Sequence, residues 1–237
     1  MNAPAPTADK AAELSHEAAL KVHDAMNAAK PRLRGWLHAA TSPLAIAAGT
    51  VLICLSPTAA TRVGSSLFAA AAILLFSVSA VYHRGTWSPK WWAFFRRFDH
   101  ANIFFLIAGS YTPFALTLLH GSARITLLVI AWSGAILGVA FKMAWVNAPR
   151  WLSTPVYIAL GWAAIFYAHD LASGGAAVTT LIVVGGALYT LGGIVYGLKK
   201  PNPFPGWFGF HEIFHVFTIA AFICHYTAAS IATYQLR

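Results

Sequence analysis

The sequence predicts an all-α integral membrane protein that crosses the bilayer as a bundle of seven helices. Hydrophobic residues make up 58% of the 237 residues and charged residues only 10%, whereas soluble domains have about 45–50% apolar and about 25% charged residues. The apolar residues form continuous runs, while the strands of a membrane barrel would alternate apolar and polar residues. This composition excludes an ordinary soluble enzyme and a disordered chain.

Each of the seven runs is long enough for one span, since about 20 helical residues cover the roughly 30 Å hydrocarbon core. In chain order the predicted spans are Leu37–Leu55, Val63–Tyr82, Ala101–Leu119, Ile125–Phe141, Trp151–Ala168, Ala176–Leu198 and Phe208–Ala232. The fourth run is the shortest. Pro113 lies inside the third run, where it is expected to kink the helix.

Residues 1–35 are expected to form a separate cytoplasmic tail, and residues 36–237 the membrane domain. In the tail, Leu14, Ala18, Val22 and Met26 recur at four-residue steps. This spacing is typical of an amphipathic helix lying on a membrane surface. The alternative is a mobile, alanine-rich tail.

The loop charges predict the orientation of the bundle. A cytoplasmic N-terminus places all but three of the 16 Lys and Arg residues on the cytoplasmic side, the exceptions being Arg62, Arg124 and Arg237. The positive-inside rule therefore predicts a cytoplasmic N-terminus and an extracytoplasmic C-terminus. The formal net charge of +9 also occurs in nucleic-acid-binding proteins, but no basic cluster lies on a soluble domain. We therefore expect no nucleic-acid partner and a multi-pass protein of the plasma or inner membrane.

Three histidines are predicted to meet at the cytoplasmic side of the bundle. His83 ends the second run where it reaches the cytoplasm, and His211 and His215 begin the seventh run at the same level. The last two are four residues apart, so they share one helix face about 6 Å apart. Asp99 precedes the third run at this depth, and Ser79 lies one turn deeper than His83.

Three imidazoles suit Zn²⁺, which prefers four ligands, so one position is left for a water molecule. A zinc-bound water can reach a pKa near 7 and attack as hydroxide. Asp99 is expected to accept the proton, and Ser79 to donate a hydrogen bond to the substrate or to that water. Ionisable residues in a membrane interior cost roughly 2.5–3.5 kcal/mol and usually mark function. The alternative is that these histidines are ordinary hydrogen-bonded residues at the membrane interface.

The remaining polar residues are predicted to have lesser roles. Glu212 points away from the helix face that carries the two histidines, which favours a surface or supporting role over catalysis. His38 and His100 lie near the cytoplasmic side and are expected at most to support the site. His225 lies about 15 Å further along the last helix, too far away to bind the same ion.

Three segments together resemble the haemolysin III family. They are SAVYH (Ser79–His83), RRFDHANIFFLIAGSYTP (Arg96–Pro113) and HEIFH (His211–His215). This family belongs to the progestin and adipoQ receptors, which include the adiponectin receptors, and the resemblance extends from about Leu33 to the C-terminus. It implies a seven-helix bundle with a cytoplasmic N-terminus and a zinc ion near the cytoplasmic face.

The resemblance further implies zinc ligands at His83, His211 and His215, with Asp99 holding the metal's water and Ser79 nearby. The family is similar in its motifs to the alkaline ceramidases, which hydrolyse lipid amides. In one respect the sequence departs from the family pattern. Many members carry an acid and an Asn ahead of the histidine that matches His38, whereas this chain has Pro31 and Arg34.

Three functions are consistent with these features. The first is a zinc-dependent, ceramidase-like hydrolase of a lipid amide or ester, with membrane lipids as its partners and a metal-bound water as nucleophile. The second is a membrane sensor or receptor in which zinc is structural. The third is a haemolysin-like pore, which requires polar residues along several helix faces, whereas the runs here are strongly apolar.

Overall fold

The computed structural model describes residues 31–145 and 148–237, together with positions 9, 10, 13, 14, 16, 17 and 20 of the tail. This part of the chain is helical and contains no β-strand. Seven of its helices are long and apolar enough to cross a membrane, so the predicted all-α fold with seven spans is confirmed. The amphipathic helix predicted for the tail depends on Ala18, Val22 and Met26, which lie outside the described residues. The orientation of the termini and the domain boundary at residue 35 stay predictions.

The seven spans contain eight α-helices, because the fifth span is broken. The helices are α1 (Trp36–Leu55), α2 (Ala59–Arg84), α3 (Pro89–Leu118), α4 (Gly121–Ala144), α5 (Arg150–Gly161), α6 (Ala168–Ala172), α7 (Ala176–Leu198) and α8 (Phe210–Tyr234). A 3₁₀-helix, Ala163–Tyr167, joins α5 to α6.

The third span begins earlier than the sequence predicted. It starts at Pro89 rather than near Ala101, so the charged and aromatic segment before Asp99 is helical. Proline is favoured at the first position of a helix, where its missing N–H costs nothing and its φ angle already fits. The early start places Asp99 inside a helix, in a fixed position relative to its neighbours. The helix also continues through Pro113 to Leu118 without a break.

The fifth span changes from an α-helix to a 3₁₀-helix after Gly161. The break occurs beside Tyr111 of α3. The Tyr111 hydroxyl donates to the carbonyl oxygens of Leu160 at 2.9 Å and Gly161 at 2.5 Å, and it accepts from the Ala164 N–H at 3.3 Å. Backbone groups that lose their helical partners need a replacement inside a membrane. Tyr111 provides one, so a continuous fifth helix, as predicted, is wrong in this detail.

Helix α3 lies at the centre of the bundle. It is the most buried of the seven spans. Of its most apolar 18-residue stretch, 72% is buried inside the protein, against 11–50% for the other spans. Small residues allow its neighbours to approach closely. A side-chain carbon added at Gly64 of α2 would come within 3.0 Å of Pro113 Cα, so the two backbones touch at this point. The other helices of the bundle surround α3 and expose more of their surface.

Candidate metal centre

Three buried histidines from two helices converge at one end of the bundle. His83 lies in the last turn of α2, and His211 and His215 lie in the first two turns of α8. Each offers a ring nitrogen, and these nitrogens all lie within 4.8 Å of one another. The Nε2 atoms of His83 and His211 are 3.1 Å apart. We call this end, defined by these three residues with His38 and Asp99, the histidine end.

The geometry of the three imidazoles fits a zinc ion. Ligands placed tetrahedrally at 2.0–2.1 Å from zinc lie about 3.3 Å from one another, close to the separation of the His83 and His211 nitrogens. The Nδ1 atom of His215 is buried and has no hydrogen-bond partner in the described part of the chain. Buried polar atoms normally have a hydrogen-bond partner. A metal or a water molecule at this point would provide a partner for the Nδ1 atom. The three residues can therefore hold a metal, while their role as ligands stays a prediction.

The two residues predicted to be catalytic lie beside the histidines. The Asp99 carboxylate oxygen Oδ2 is 3.8 Å from His83 Nε2, and the Asp99 side chain is only 11% exposed. Ser79 lies one turn before His83 in α2 and is buried. Its hydroxyl interacts with the Asp99 carboxyl group. A carboxylate and a hydroxyl group are thus adjacent to the candidate metal position, and their catalytic roles stay predictions.

Helix α1 contributes a fourth imidazole. The His38 ring stacks on the His215 ring, with 3.7 Å between the centroids and an angle of 10° between the planes. His38 is 2% exposed, and neither of its ring nitrogens has a partner among the described residues. The sequence predicted at most a supporting role for His38. The structure places it in direct contact with one of the three candidate ligands.

Glu212 is the residue at this end whose place in the fold was least evident from the sequence. It is fully buried rather than on the surface, so the surface interpretation is wrong. Its carboxylate forms an ion pair with Arg34 and accepts a hydrogen bond from the Gly209 N–H at 2.8 Å. The second contact caps the first turn of α8. A glutamate three residues after the N-cap residue is a recognisable sequence pattern for the start of a helix. The same first turns carry His211 and His215.

Glu212 is buried because the segment before α1 covers the start of α8. The N–H groups of Arg32 and Leu33 donate to the carbonyl oxygens of Gly206 and Trp207 at 3.1 and 3.3 Å. The Arg32 guanidinium also lies over the Trp207 ring, 4.4 Å from its centre. Arg34, which departs from the family pattern in the sequence, is the residue that neutralises the buried carboxylate. This contact joins two segments at opposite ends of the chain.

Two other histidines lie outside the cluster of three. The Tyr196 hydroxyl and the His100 Nε2 atom are hydrogen-bonded at 2.9 Å, so His100 faces α7. His225 Nε2 lies 3.3 Å from the Ile182 carbonyl oxygen in the other half of the bundle. Neither residue belongs to the group that could hold a metal. In the described part of the chain that group consists of His83, His211 and His215.

A cavity of about 210 Å³ leads away from the histidine end. Its lining there includes His38, Ser79, Asp99 and His215, and further along it is formed mostly by apolar side chains of α3, α5 and α7. Ile165 and Val183 both line the cavity, and they are 58% and 52% exposed. The cavity therefore reaches the side of the bundle between the fifth and sixth spans.

The fold and the site together define a class of protein. Seven apolar helices, with three buried histidines and a carboxylate at one end, make a multi-pass membrane protein with a candidate metal centre.

The sequence profile described as "Haemolysin-III related" matches residues 26–226, so the chain belongs to the haemolysin III family. The chain is similar to the "Hemolysin-3 homolog" of Bacillus subtilis (strain 168), with 39% identity over 167 residues, covering 68% of this chain and 75% of that protein. It is also similar to "Hemolysin-3" of Bacillus cereus, with 35% identity over 167 residues, covering 68% of this chain and 71% of that protein.

Proposed function

We propose that the protein is a zinc-dependent hydrolase of the cell membrane that cleaves an amide or ester bond of a membrane lipid. One observation carries the proposal. Three imidazoles lie with their ligand atoms within 4.8 Å of one another, beside the Asp99 carboxylate, at the end of a mainly apolar cavity. This combination brings a metal site, a proton acceptor and room for a lipid chain together.

Each residue of the site has a defined task in this proposal. His83, His211 and His215 hold the metal. Zinc, when bound, polarises a carbonyl group and lowers the pKa of a water molecule to near 7. Asp99 accepts the proton of the attacking water and passes it to the leaving group. Ser79, from its position beside Asp99, orients the carboxylate.

The cavity supports a lipid as the substrate. Binding sites for apolar ligands are concave, lined mostly by apolar side chains, and carry a few polar groups at one point. The cavity here has two of the candidate metal ligands and Asp99 at the histidine end and mostly apolar side chains, such as Leu106, Phe114 and Leu171, along the rest. The exposed lining at Ile165 and Val183 gives a lipid a short path from the bilayer into the cavity.

The first experiment measures metal content and turnover together. Elemental mass spectrometry of the purified protein is expected to give about one zinc per chain, and the His83→Ala/His211→Ala/His215→Ala variant is expected to lose it. Asp99→Asn is expected to keep zinc but to lower hydrolysis of lipid amides or esters by about 10²-fold or more. Asp170→Asn is the matched control, because this acid lies in α6, away from the histidine end. Full activity in Asp99→Asn would refute the mechanism.

A sensor with a structural metal is the second candidate. The observation that favours it is that the three histidines join the end of α2 to the start of α8, so a bound metal would tie two helices together. In that case a chelator would lower the melting temperature strongly, and no lipid amide or ester would be hydrolysed. Loss of turnover on chelation, with recovery when zinc is added back, would favour the hydrolase.

The names of the relatives suggest a cytolytic, pore-forming activity, but the cavity lacks the polar lining that a pore needs. An ion pathway needs polar groups along its length, and the lining beyond the histidine end is mostly apolar. Ion conductance through liposomes that contain the purified protein would reverse this ranking.

A further inference from the structure

A second group of polar side chains lies beside the histidine end, between α3, α4 and α5. Lys142, in the last turn of α4, is only 8% exposed, and its Nζ donates to the Ser153 hydroxyl at 2.6 Å. Arg150 is the first residue of α5, and its guanidinium lies 4.5 Å from the centre of the Tyr196 ring. Arg96 of α3 completes the group, which we call the basic pocket.

The three cations of the basic pocket are close enough to repel one another. Both arginines act electrostatically on Lys142, and all three cations act on His100, so the three charges share one neighbourhood. Like charges that lie close together raise the free energy of the folded protein unless an anion lies between them. The pocket therefore calls for a counter-ion.

No carboxylate in the described part of the chain lies within ion-pair distance of these cations. The acid–base pairs there are Arg34 with Glu212 and His83 with Asp99, and neither includes a cation of the basic pocket. The Nη1 atom of Arg150 is buried and finds no partner among the described residues. A buried cation is normally paired, because an unpaired one loses its hydration without compensation. A buried guanidinium nitrogen without a partner among the described residues, beside a buried lysine, thus points to a ligand.

We propose that the basic pocket binds the phosphate group of an anionic phospholipid. A guanidinium fork matches two phosphate oxygens, and a lysine ammonium adds a third donor. The three side chains come from helix ends, where the headgroups of a bilayer lie, and basic pockets between membrane helices are known binding places for such headgroups. The aromatic rings of Trp92 and Tyr196 hold the two guanidinium groups in place, at 5.2 and 4.5 Å.

This lipid site is separate from the histidine end and does not depend on a metal. Neither the arginines nor Lys142 line the cavity, whose boundary in this region is formed by His100, Tyr157 and Tyr196. The phospholipid is therefore expected to sit outside the bundle with its phosphate in the pocket. It would hold α3, α4 and α5 together at one end, which stabilises the fold without entering the reaction.

The test measures lipid binding to the intact protein by native mass spectrometry, with phosphatidylglycerol and phosphatidylcholine as probes. Phosphatidylglycerol is expected to bind about tenfold tighter or more, because the choline cation of phosphatidylcholine is repelled by the cations of the pocket, whereas phosphatidylglycerol carries no cation. Arg150→Gln and Lys142→Gln are each expected to remove most of this preference. Lys199→Gln is the matched control, because it removes one charge from an exposed residue outside the pocket.

Three results would overturn the proposal. The first is equal binding of both lipids to the wild type. The second is an equal loss of preference in Lys199→Gln, which would assign the effect to general surface charge. The third is displacement of the lipid by inorganic phosphate, which would show a site for free phosphate. If Arg150→Gln does not fold, Arg150→Lys keeps the charge but loses the fork, and it is expected to bind phosphatidylglycerol less tightly than the wild type.

Discussion

The two ends of the cavity use histidine in different ways. At the histidine end, imidazoles from α1, α2 and α8 meet a carboxylate from α3. In the other half of the cavity a single imidazole, His225, contacts the carbonyl oxygen of Ile182. Helix α8 carries both the clustered histidines, His211 and His215, and the isolated His225. The neighbouring helices, not the residue type, decide what a buried histidine can do.

The packing around His225 shows how a buried imidazole is accommodated without a reaction partner. Gly185 of α7 leaves room for its ring, because a side-chain carbon at this position would overlap with the imidazole. The ring lies edge-on to Phe114 and Tyr189, at centroid distances of 6.2 and 5.4 Å. Such contacts pack and orient one ring but bring no second ligand near it. A metal site needs several donors from different helices at one point.

The largest expected effect follows directly from this comparison. His215→Ala is expected to reduce the zinc content of the purified protein below about a tenth of the wild-type value, since it leaves two of three protein ligands. His225→Ala removes an equally large imidazole from the same helix and is expected to leave the zinc content unchanged. Elemental mass spectrometry on the two variants gives the answer. Equal zinc loss in both would mean that the metal depends on the general stability of α8.

The second prediction concerns the ion pair that holds the start of α8. Arg34→Met leaves the Glu212 carboxylate buried without its cation, and losing one partner of a buried pair costs about 3 kcal/mol or more in the free energy of unfolding. Arg32→Met is the control, because it removes a neighbouring arginine whose contact with the Trp207 ring is worth only about 0.5–1 kcal/mol. Denaturant unfolding in detergent measures both.

The Glu212 carboxylate provides a further check on this second prediction. Glu212→Gln in the Arg34→Met background is expected to recover part of the lost stability, since it removes the unpaired buried charge. A double variant that is no more stable than Arg34→Met would show that the ion pair itself contributes little.

The comparison also shows what could be predicted from the sequence. The spans followed from the length of the apolar runs, and the meeting of His83 with His211 followed from counting helices between them. The Arg34–Glu212 pair could not be predicted in this way, because it joins residues 178 positions apart and no local pattern connects them. The start of α3 was missed for another reason. Charged residues before Asp99 resemble a loop in a membrane protein, yet Pro89 begins the helix.

A hydrophobic cavity between the helices was expected for a lipid hydrolase, but the residues that line it could not be predicted from the sequence. The smallest expected effect tests the element that shapes this cavity. Tyr111 accepts and donates hydrogen bonds where the fifth span breaks. Tyr111→Phe is expected to cost about 1–2 kcal/mol of unfolding free energy, because the backbone groups at the break lose their partner inside the membrane. Tyr226→Phe removes a single hydrogen bond, 3.0 Å long, to the Ala48 carbonyl and is expected to cost about 0.5–1 kcal/mol.

Both tyrosine variants are expected to keep the wild-type zinc content, because neither hydroxyl approaches the three candidate ligands. If Tyr111→Phe instead lost zinc while Tyr226→Phe kept it, the break in the fifth span would be coupled to the histidine end. The two ends of the cavity would then form one cooperative unit, in which the path of the lipid chain controls the geometry of the imidazoles. If both variants keep zinc, the histidine end is an independent site, and the break serves only to form the wall of the cavity.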